Sequence, residues 1–203
     1  MIILIAPEQD IPNEKAILQQ LFDAGLTHYH FRKPNGSLED HKAYLNQIDA
    51  QYYKHIIPHY FHELTVEYGL KGIHIQEQFR WDQGASLKSY VQSYTDRGFT
   101  VSSSYHDPVE LAQEEVAFDY QLLSPVFSSI SKKGYEGKGF DVNHIPRNIV
   151  GMGGVNAKTI PALFDLGFKG VGVLGGIWNS EDPVQSFREI KQALEENRKP
   201  LKN

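Results

Sequence analysis

The 203-residue chain contains no cysteine. Without that sulfur there is no disulfide framework, thiolate zinc site, iron–sulfur cluster or cysteine nucleophile, and a cytoplasmic setting is expected. Positive charge is also in short supply. Twenty Lys and Arg against 25 Asp and Glu leave a formal net charge of −5, so no basic field exists to hold a nucleic-acid backbone. Long apolar runs are missing too. The opening MIILIAPEQD carries neither a basic lead nor a small-residue cleavage site, and no later run approaches the roughly 18 apolar residues of a membrane span. These absences point to a soluble protein with neither nucleic-acid nor membrane partners. At 40% hydrophobic and 22% charged the composition is that of a globular protein, and the length fits one domain, 1–203, around one core. Only residues 198–203, RKPLKN, read as a frayed tail.

What is present is alternation. Short runs rich in Ile and Val fall at 2–6, 27–32, 55–58, 72–75, 99–103, 120–124, 148–152 and 170–174, separated by segments of helical period. Their starts lie about 24 residues apart, close to what a βα unit needs. The pattern permits an open doubly wound sheet, but eight units favour a closed, single-domain (β/α)8 TIM barrel. Helix signals agree with the period. Asn13 is placed to cap a helix over 14–24, Ser37 opens a Ser-Leu-Glu-Asp capping box, and Asp107-Pro108 and Asp182-Pro183 each set a capping carboxylate before a first-turn proline. In the last segment Val184, Phe187, Ile190 and Leu194 fall on one helix face. The stretch 76–97 is hard to divide, and Phe79-Arg80-Trp81-Asp82 reads as a rim loop or turn.

Three constellations carry chemistry. The runs IVGM and VGVL each end in a glycine pair, Gly153-Gly154 and Gly175-Gly176. In a parallel barrel the loops after the seventh and eighth strands, with a short helix N-terminus, form the recurring phosphate site, because glycine lets N–H groups approach an anion with no Cβ in the way. A glycine pair is also an ordinary tight turn; two of them in those places favour the anion. After the sixth run, Ser128-Ser129-Ile130-Ser131-Lys132-Lys133-Gly134-Tyr135 gathers hydroxyl donors, cations and a flexible glycine suited to phosphate oxygens, though a solvated loop has the same composition. At the second run, alternation puts His30 and Arg32 on one face, pointing into the mouth. An inward arginine implies a ligand anion or an internal ion pair. Nine histidines are present, of which His59, His62, His74 and His106 fall near strand ends. His106 is read either as a site residue or as part of the cap at Asp107. No His-x-x-x-His pair or dense carboxylate cluster appears on a recognisable element, so no metal held by protein ligands is expected.

The segments His30-Phe31-Arg32, Gly72 to Gln76, Ser104-Tyr105-His106, Ser124 to Lys132, Gly153-Gly154-Val155 and Gly170 to Ile177 together resemble the thiamine phosphate synthase and TenI superfamily of small (β/α)8 barrels. The resemblance implies a thiazole-phosphate or thiamine-phosphate site at the barrel mouth. It places Ser129, Ser131, Lys132 and Gly154 among the phosphate-loop residues, joined by Gly153, Gly175 and Gly176 from the glycine argument, with Arg32 and Ser104 toward the substrate. Synthases of this kind join a pyrimidine pyrophosphate to the thiazole phosphate, with magnesium and positive side chains stabilising the departing pyrophosphate. The chain departs from their pattern. Where Gln-x-Arg-x-Lys is usual it has His30, Arg32 and Pro34; His59-Tyr60 replaces Asn-Asp after the third strand; and the aspartate beyond the fourth falls on or near Phe79. Both magnesium carboxylates are missing by this reading.

TenI-type tautomerases, which aromatise a carboxythiazole phosphate, match better at the His-x-Arg of the second strand and at Lys132 to Gly139. Their acid–base histidine is replaced here by Pro125, which cannot transfer a proton, leaving His30, His74 and His106 as candidates. The leading expectation is a TenI-like thiamine-biosynthesis barrel that binds thiazole phosphate and moves a proton on it. One alternative is a divergent synthase relying on Arg32 and Lys132, with Mg²⁺ needed only in that case; the other is a non-catalytic phosphate-ligand binder. Barrels of this size often pair, so a homodimer is compatible with the sequence, which does not itself reveal the oligomeric state.

Overall fold

The computed structural model describes residues 1–128 and 136–197. Eight parallel strands form one sheet: β1 (Ile2–Ile5), β2 (Tyr29–Phe31), β3 (Ile56–Pro58), β4 (Gly72–Ile75), β5 (Thr100–Tyr105), β6 (Tyr120–Leu123), β7 (Ile149–Met152) and β8 (Gly170–Val173). Each lies within or beside one of the apolar runs read from the sequence. β1 pairs with both β2 and β8, which joins the first strand directly to the last. The order runs β3-β2-β1-β8-β7-β6-β5-β4, which leaves β3 and β4 in contact across a seam without a strand ladder. Other groups bridge that seam. Gln76 Nε2 donates to the His59 carbonyl at 3.0 Å, His62 Nε2 to the His74 carbonyl at 3.0 Å, Thr65 Oγ1 to the Gly72 carbonyl at 2.9 Å, and Lys71 N to the Ile56 carbonyl at 2.9 Å. Carbonyls that an open edge would strand are thereby satisfied.

The ring of helices begins with α1 (Glu14–Asp23) and α2 (Leu38–Leu45), continues with α3 (Leu64–Tyr68), α4 (Glu77–Gln83), α5 (Leu87–Thr95) and α6 (Pro108–Gln113), and ends with α7 (Ile160–Asp165), α8 (Gly175–Trp178) and α9 (Pro183–Glu196). Ser37 and Asp40 complete the reciprocal capping box of α2, and Asp107 and Asp182 accept the amides of Val109 and Gln185. Two readings need correction. Asn13 sits in the left-handed region at φ 60° and makes no side-chain cap. Residues 79–82 lie inside α4, because Arg80 is a charged side chain on the helix's buried face, which hides the apolar period. Its guanidinium is 3% exposed and meets Glu110 at 2.7 Å, Ser103 Oγ at 3.0 Å and the face of Tyr105.

The core lies in layers. Outward-facing Leu4, Tyr29, Phe31, Ile56, Val171 and Val173 pack under the helices, with Phe187, Ile190 and Leu194 of α9 in the same cluster. Inside the barrel Ile3, Ile5, Leu122 and Val150 form an apolar wall from β1, β6 and β7. The inward positions of β2, β4 and β5 are polar instead, occupied by buried His30, His74 and Ser102. Buried polar groups without function are costly, so this half of the interior marks the site.

Candidate functional site

A cavity of about 590 Å³ opens at the carboxyl ends of the strands, the face on which barrel enzymes place their sites. All four corner glycines line it, together with Arg32, His59, His74, Ser104 and His106. The two corners lie against each other. A Cβ on Gly176 would come within 2.7 Å of the Val155 carbonyl oxygen, and one on Gly154 within 2.6 Å of the Ser128 carbonyl oxygen. Gly153 and Gly154 also adopt φ values of 99° and 64°, which L side chains rarely reach. The Gly175-Gly176 corner is fastened from behind: Trp178 Nε1 at the end of α8 donates to the Ile5 carbonyl at 2.8 Å, and Ser186 Oγ to the Gly176 carbonyl at 2.7 Å. As the first residues of α8, Gly175 and Gly176 have amides with no intrahelical acceptor. A cluster of amides beside an open cavity is what an esterified oxyanion needs.

Arg32 meets the Glu8 carboxylate at 2.5 Å, so the inward arginine has an ion-pair partner while still lining the cavity. Lys33 turns away from the mouth and reaches buried Glu14 at 2.9 Å and Asp10 at 3.0 Å. His106 is exposed on the rim. Its Nδ1 lies 3.0 Å from Glu77 Oε2, and its backbone amide donates to Glu77 Oε1. Asp107 alone supplies the side-chain cap of α6, so His106 has no part in that cap. Ser104 follows the same inward alternation on β5. Ser129, Ser131 and Lys132 lie outside the described residues.

The sequence reading did not gather His59 into the site. His30 on β2, His59 just past β3 and His74 on β4 place one ring nitrogen each within 4.8 Å of one another. His30 Nδ1 and His59 Nε2 share a hydrogen bond of 2.9 Å, His30 Nε2 pairs with Tyr120 Oη at 2.7 Å, and His74 Nδ1 pairs with Ser102 Oγ at 2.8 Å. The Nδ1 of His59 is buried without a partner among the described residues. Burial, reinforced by the neighbouring rings, holds His30 and His59 well below the usual imidazole range; burial with nearby His62 and Arg80 brings His74 down to about 3. These are three neutral, weakly basic rings at neutral pH. No local spacing announces them, since they are 29 and 15 residues apart on three strands. Glu8 and Glu77 also reach the cavity without having been singled out in the sequence.

Magnesium, which the resemblance ties to synthase chemistry, requires oxygen donors. His59 is a nitrogen donor, Tyr60 hydrogen-bonds Gln76 at 3.4 Å, and Phe79 packs with Ile73, Leu87 and Val91. Glu8 and Glu77 each already face a basic side chain. The set does not fit a dedicated magnesium site.

Fold and cavity thus define a small-ligand (β/α)8 barrel with its mouth rimmed by glycine corners. A family model described as thiamine monophosphate synthase matches residues 2–177. The chain belongs to that family. Thiamine-phosphate synthase of Bacillus cereus (strain B4264) is 27% identical over 192 residues, covering 88% of this chain and 85% of the relative. The same enzyme of Listeria monocytogenes serotype 4a (strain HCC23) is 27% identical over 208 residues, covering 94% of each. Among solved structures, thiamine phosphate pyrophosphorylase from Bacteroides thetaiotaomicron superposes with a TM-score of 0.73 at 24% identity, covering 98% of this chain and 99% of that one. Thiamine phosphate pyrophosphorylase from Pyrococcus furiosus gives 0.76 at 15% identity, covering 98% and 96%. At these identities the structural likeness concerns the fold. Among the described residues no helix is long and apolar enough to cross a membrane.

Proposed function

We propose that this barrel acts in thiamine biosynthesis by binding the phosphate ester of a thiazole, and that it moves a proton on that ring in the manner of the TenI-like tautomerases. The observation that carries the reading is the meeting of two glycine corners at one cavity whose opposite wall is made of nitrogen bases rather than free carboxylates. The corners supply amides to the phosphate; Ser129, Ser131 and Lys132 are proposed to complete that cradle; Arg32 and Ser104 face the ring. His30 and His74 are too deeply desolvated to be effective bases, which moves the proton-transfer role to His106. With Nδ1–H directed at Glu77, its Nε2 keeps a lone pair, an arrangement in which the carboxylate orients the base.

Titration with carboxythiazole phosphate, following heat of binding and aromatisation by absorbance, tests this. Saturable binding and turnover are expected, with His106→Gln retaining binding and losing roughly 10²-fold or more in rate. Undiminished turnover in His106→Gln removes that residue's role, and absence of binding removes the whole reading. Glu8 and Glu77 at the mouth favour a second reading as a divergent synthase. Magnesium-dependent release of pyrophosphate from the two synthase substrates, without aromatisation, selects it. Binding with no turnover of either kind selects a ligand-holding protein.

A further inference from the structure

We infer that His30, His59 and His74 form a binding site for a borderline divalent transition metal of the zinc type, with its fourth coordination position opening on the cavity. The site is built from three strands, and its ligands come from β2, from the residue after β3 and from β4. Three neutral imidazoles and an open position are the donor set of many zinc sites, whereas hard magnesium would refuse them.

The outer contacts select the ligating atoms. A histidine that binds a metal through one nitrogen donates the other N–H to an oxygen nearby. Tyr120 Oη stands at His30 Nε2 and Ser102 Oγ at His74 Nδ1, which leaves His30 Nδ1 and His74 Nε2 for the ion. His59 Nε2 already lies 2.9 Å from His30 Nδ1. Two nitrogens bound at about 2.0–2.1 Å in a tetrahedron are roughly 3.3 Å apart, so the His30–His59 pair needs to part by only a few tenths of an ångström, while the His74 nitrogen, within 4.8 Å of the others, closes in.

Proton counting points the same way. Three neutral rings carry three N–H groups and three lone pairs. Among the described residues His74 Nε2 has no hydrogen-bond partner in the metal-free arrangement, while His59 Nδ1 has none in either, since His59 is read to bind through Nε2. With an ion bound, all three lone pairs are used and two of the three N–H groups have oxygen acceptors. The inference does not depend on the phosphate reading, since it concerns the polar half of the barrel rather than the glycine corners.

The test uses the full chain stripped with a chelator and titrated with Co²⁺, then with Zn²⁺ in competition, in the absence of substrate. One Co²⁺ per chain with the intense visible absorption of a four-coordinate ion, displaced by Zn²⁺, is expected. X-ray absorption of the Zn²⁺ form should show three imidazoles. Tyr120→Phe, which removes only the outer hydrogen bond on His30, should weaken Co²⁺ roughly 10–100-fold, and His59→Ala should abolish the band. His144→Ala, an exposed histidine elsewhere, should change nothing. Failure of the wild-type chain to bind stoichiometrically, a six-coordinate spectrum, or a band that persists in His59→Ala overturns the inference. If His59→Ala does not fold, the wild-type stoichiometry and X-ray absorption decide alone.

Discussion

Replacing Glu14 by Gln should be among the most damaging single-atom changes available in this barrel. The Glu14 side chain is wholly buried, yet its carboxylate meets Lys33 Nζ at 2.9 Å, Tyr44 Oη at 2.6 Å, Tyr29 Oη at 3.4 Å and the Ile11 amide at 3.3 Å. It ties α1, β2 and α2 together directly behind the strand that carries His30 and Arg32. Gln keeps the shape but removes the charge, and leaves Lys33 with only Asp10, whose side chain is 66% exposed. Breaking a buried pair in this way costs about 3–5 kcal/mol; the surviving Asp10 contact argues for the lower end, about 3 kcal/mol. For a chain of this length that is roughly 6–12 °C in Tm. Urea unfolding followed by far-UV circular dichroism should show the midpoint fall with an unchanged slope. A double variant, Glu14→Gln with Lys33→Met, should recover part of the loss, because it removes the stranded cation as well. A loss below 0.5 kcal/mol, or a double variant less stable than the single one, would refute the claim that this pair is desolvated and mutually dependent.

Two left-handed glycines give a paired prediction. Gly69→Ala meets nothing within 4 Å at φ +66° and should cost about 1–2 kcal/mol by calorimetry while leaving thiazole phosphate affinity unchanged. Gly154→Ala, at φ +64° with the Ser128 carbonyl 2.6 Å from the new Cβ, should cost more and also weaken that affinity at least tenfold; equal behaviour of the two would contradict the placement of the corner. His41 gives a pH test. It is buried, it donates from Nδ1 to the Ser37 carbonyl, and its Nε2 has no partner among the described residues, so burial lowers its pKa below the ordinary 6.5. The unfolded chain then takes up a proton below about pH 6.5 that the folded chain refuses, and stability is lost as the pH falls. His41→Phe removes this term, so its stability relative to wild type should be better at pH 5 than at pH 8. Equal differences at the two pH values would show that His41 titrates alike in both states.

Much of the architecture was legible because it is written locally. The period of βα units, the Ser37 capping box and the Asp-Pro helix starts are each set by a few adjacent residues, and they survive folding unchanged. Residues 76–97 were illegible because Arg80 occupies a core-facing position and is neutralised by Glu110 of a distant helix, a pairing no local pattern reveals. Asn13 had the right residue type for a cap but a backbone in the left-handed region, where its side chain caps nothing. In the site, the glycine corners were visible because each is separated from its strand's end by no more than one residue. The histidine cluster was not. His30, His59 and His74 meet only because β2, β3 and β4 are neighbours in the ring, and His59 lies just beyond the end of its strand, where alternation no longer says which way a side chain points.

The central claim is that the loops after β7 and β8 hold a phosphate ester. Its most direct test is the amide spectrum of ¹⁵N-labelled protein titrated with thiazole phosphate and, separately, with the same thiazole as its free alcohol. The account predicts that the amides of Gly153, Gly154, Gly175 and Gly176 shift with the phosphate ester and stay in place with the alcohol. Shifts confined to other parts of the barrel, or the same response to both compounds, would contradict it.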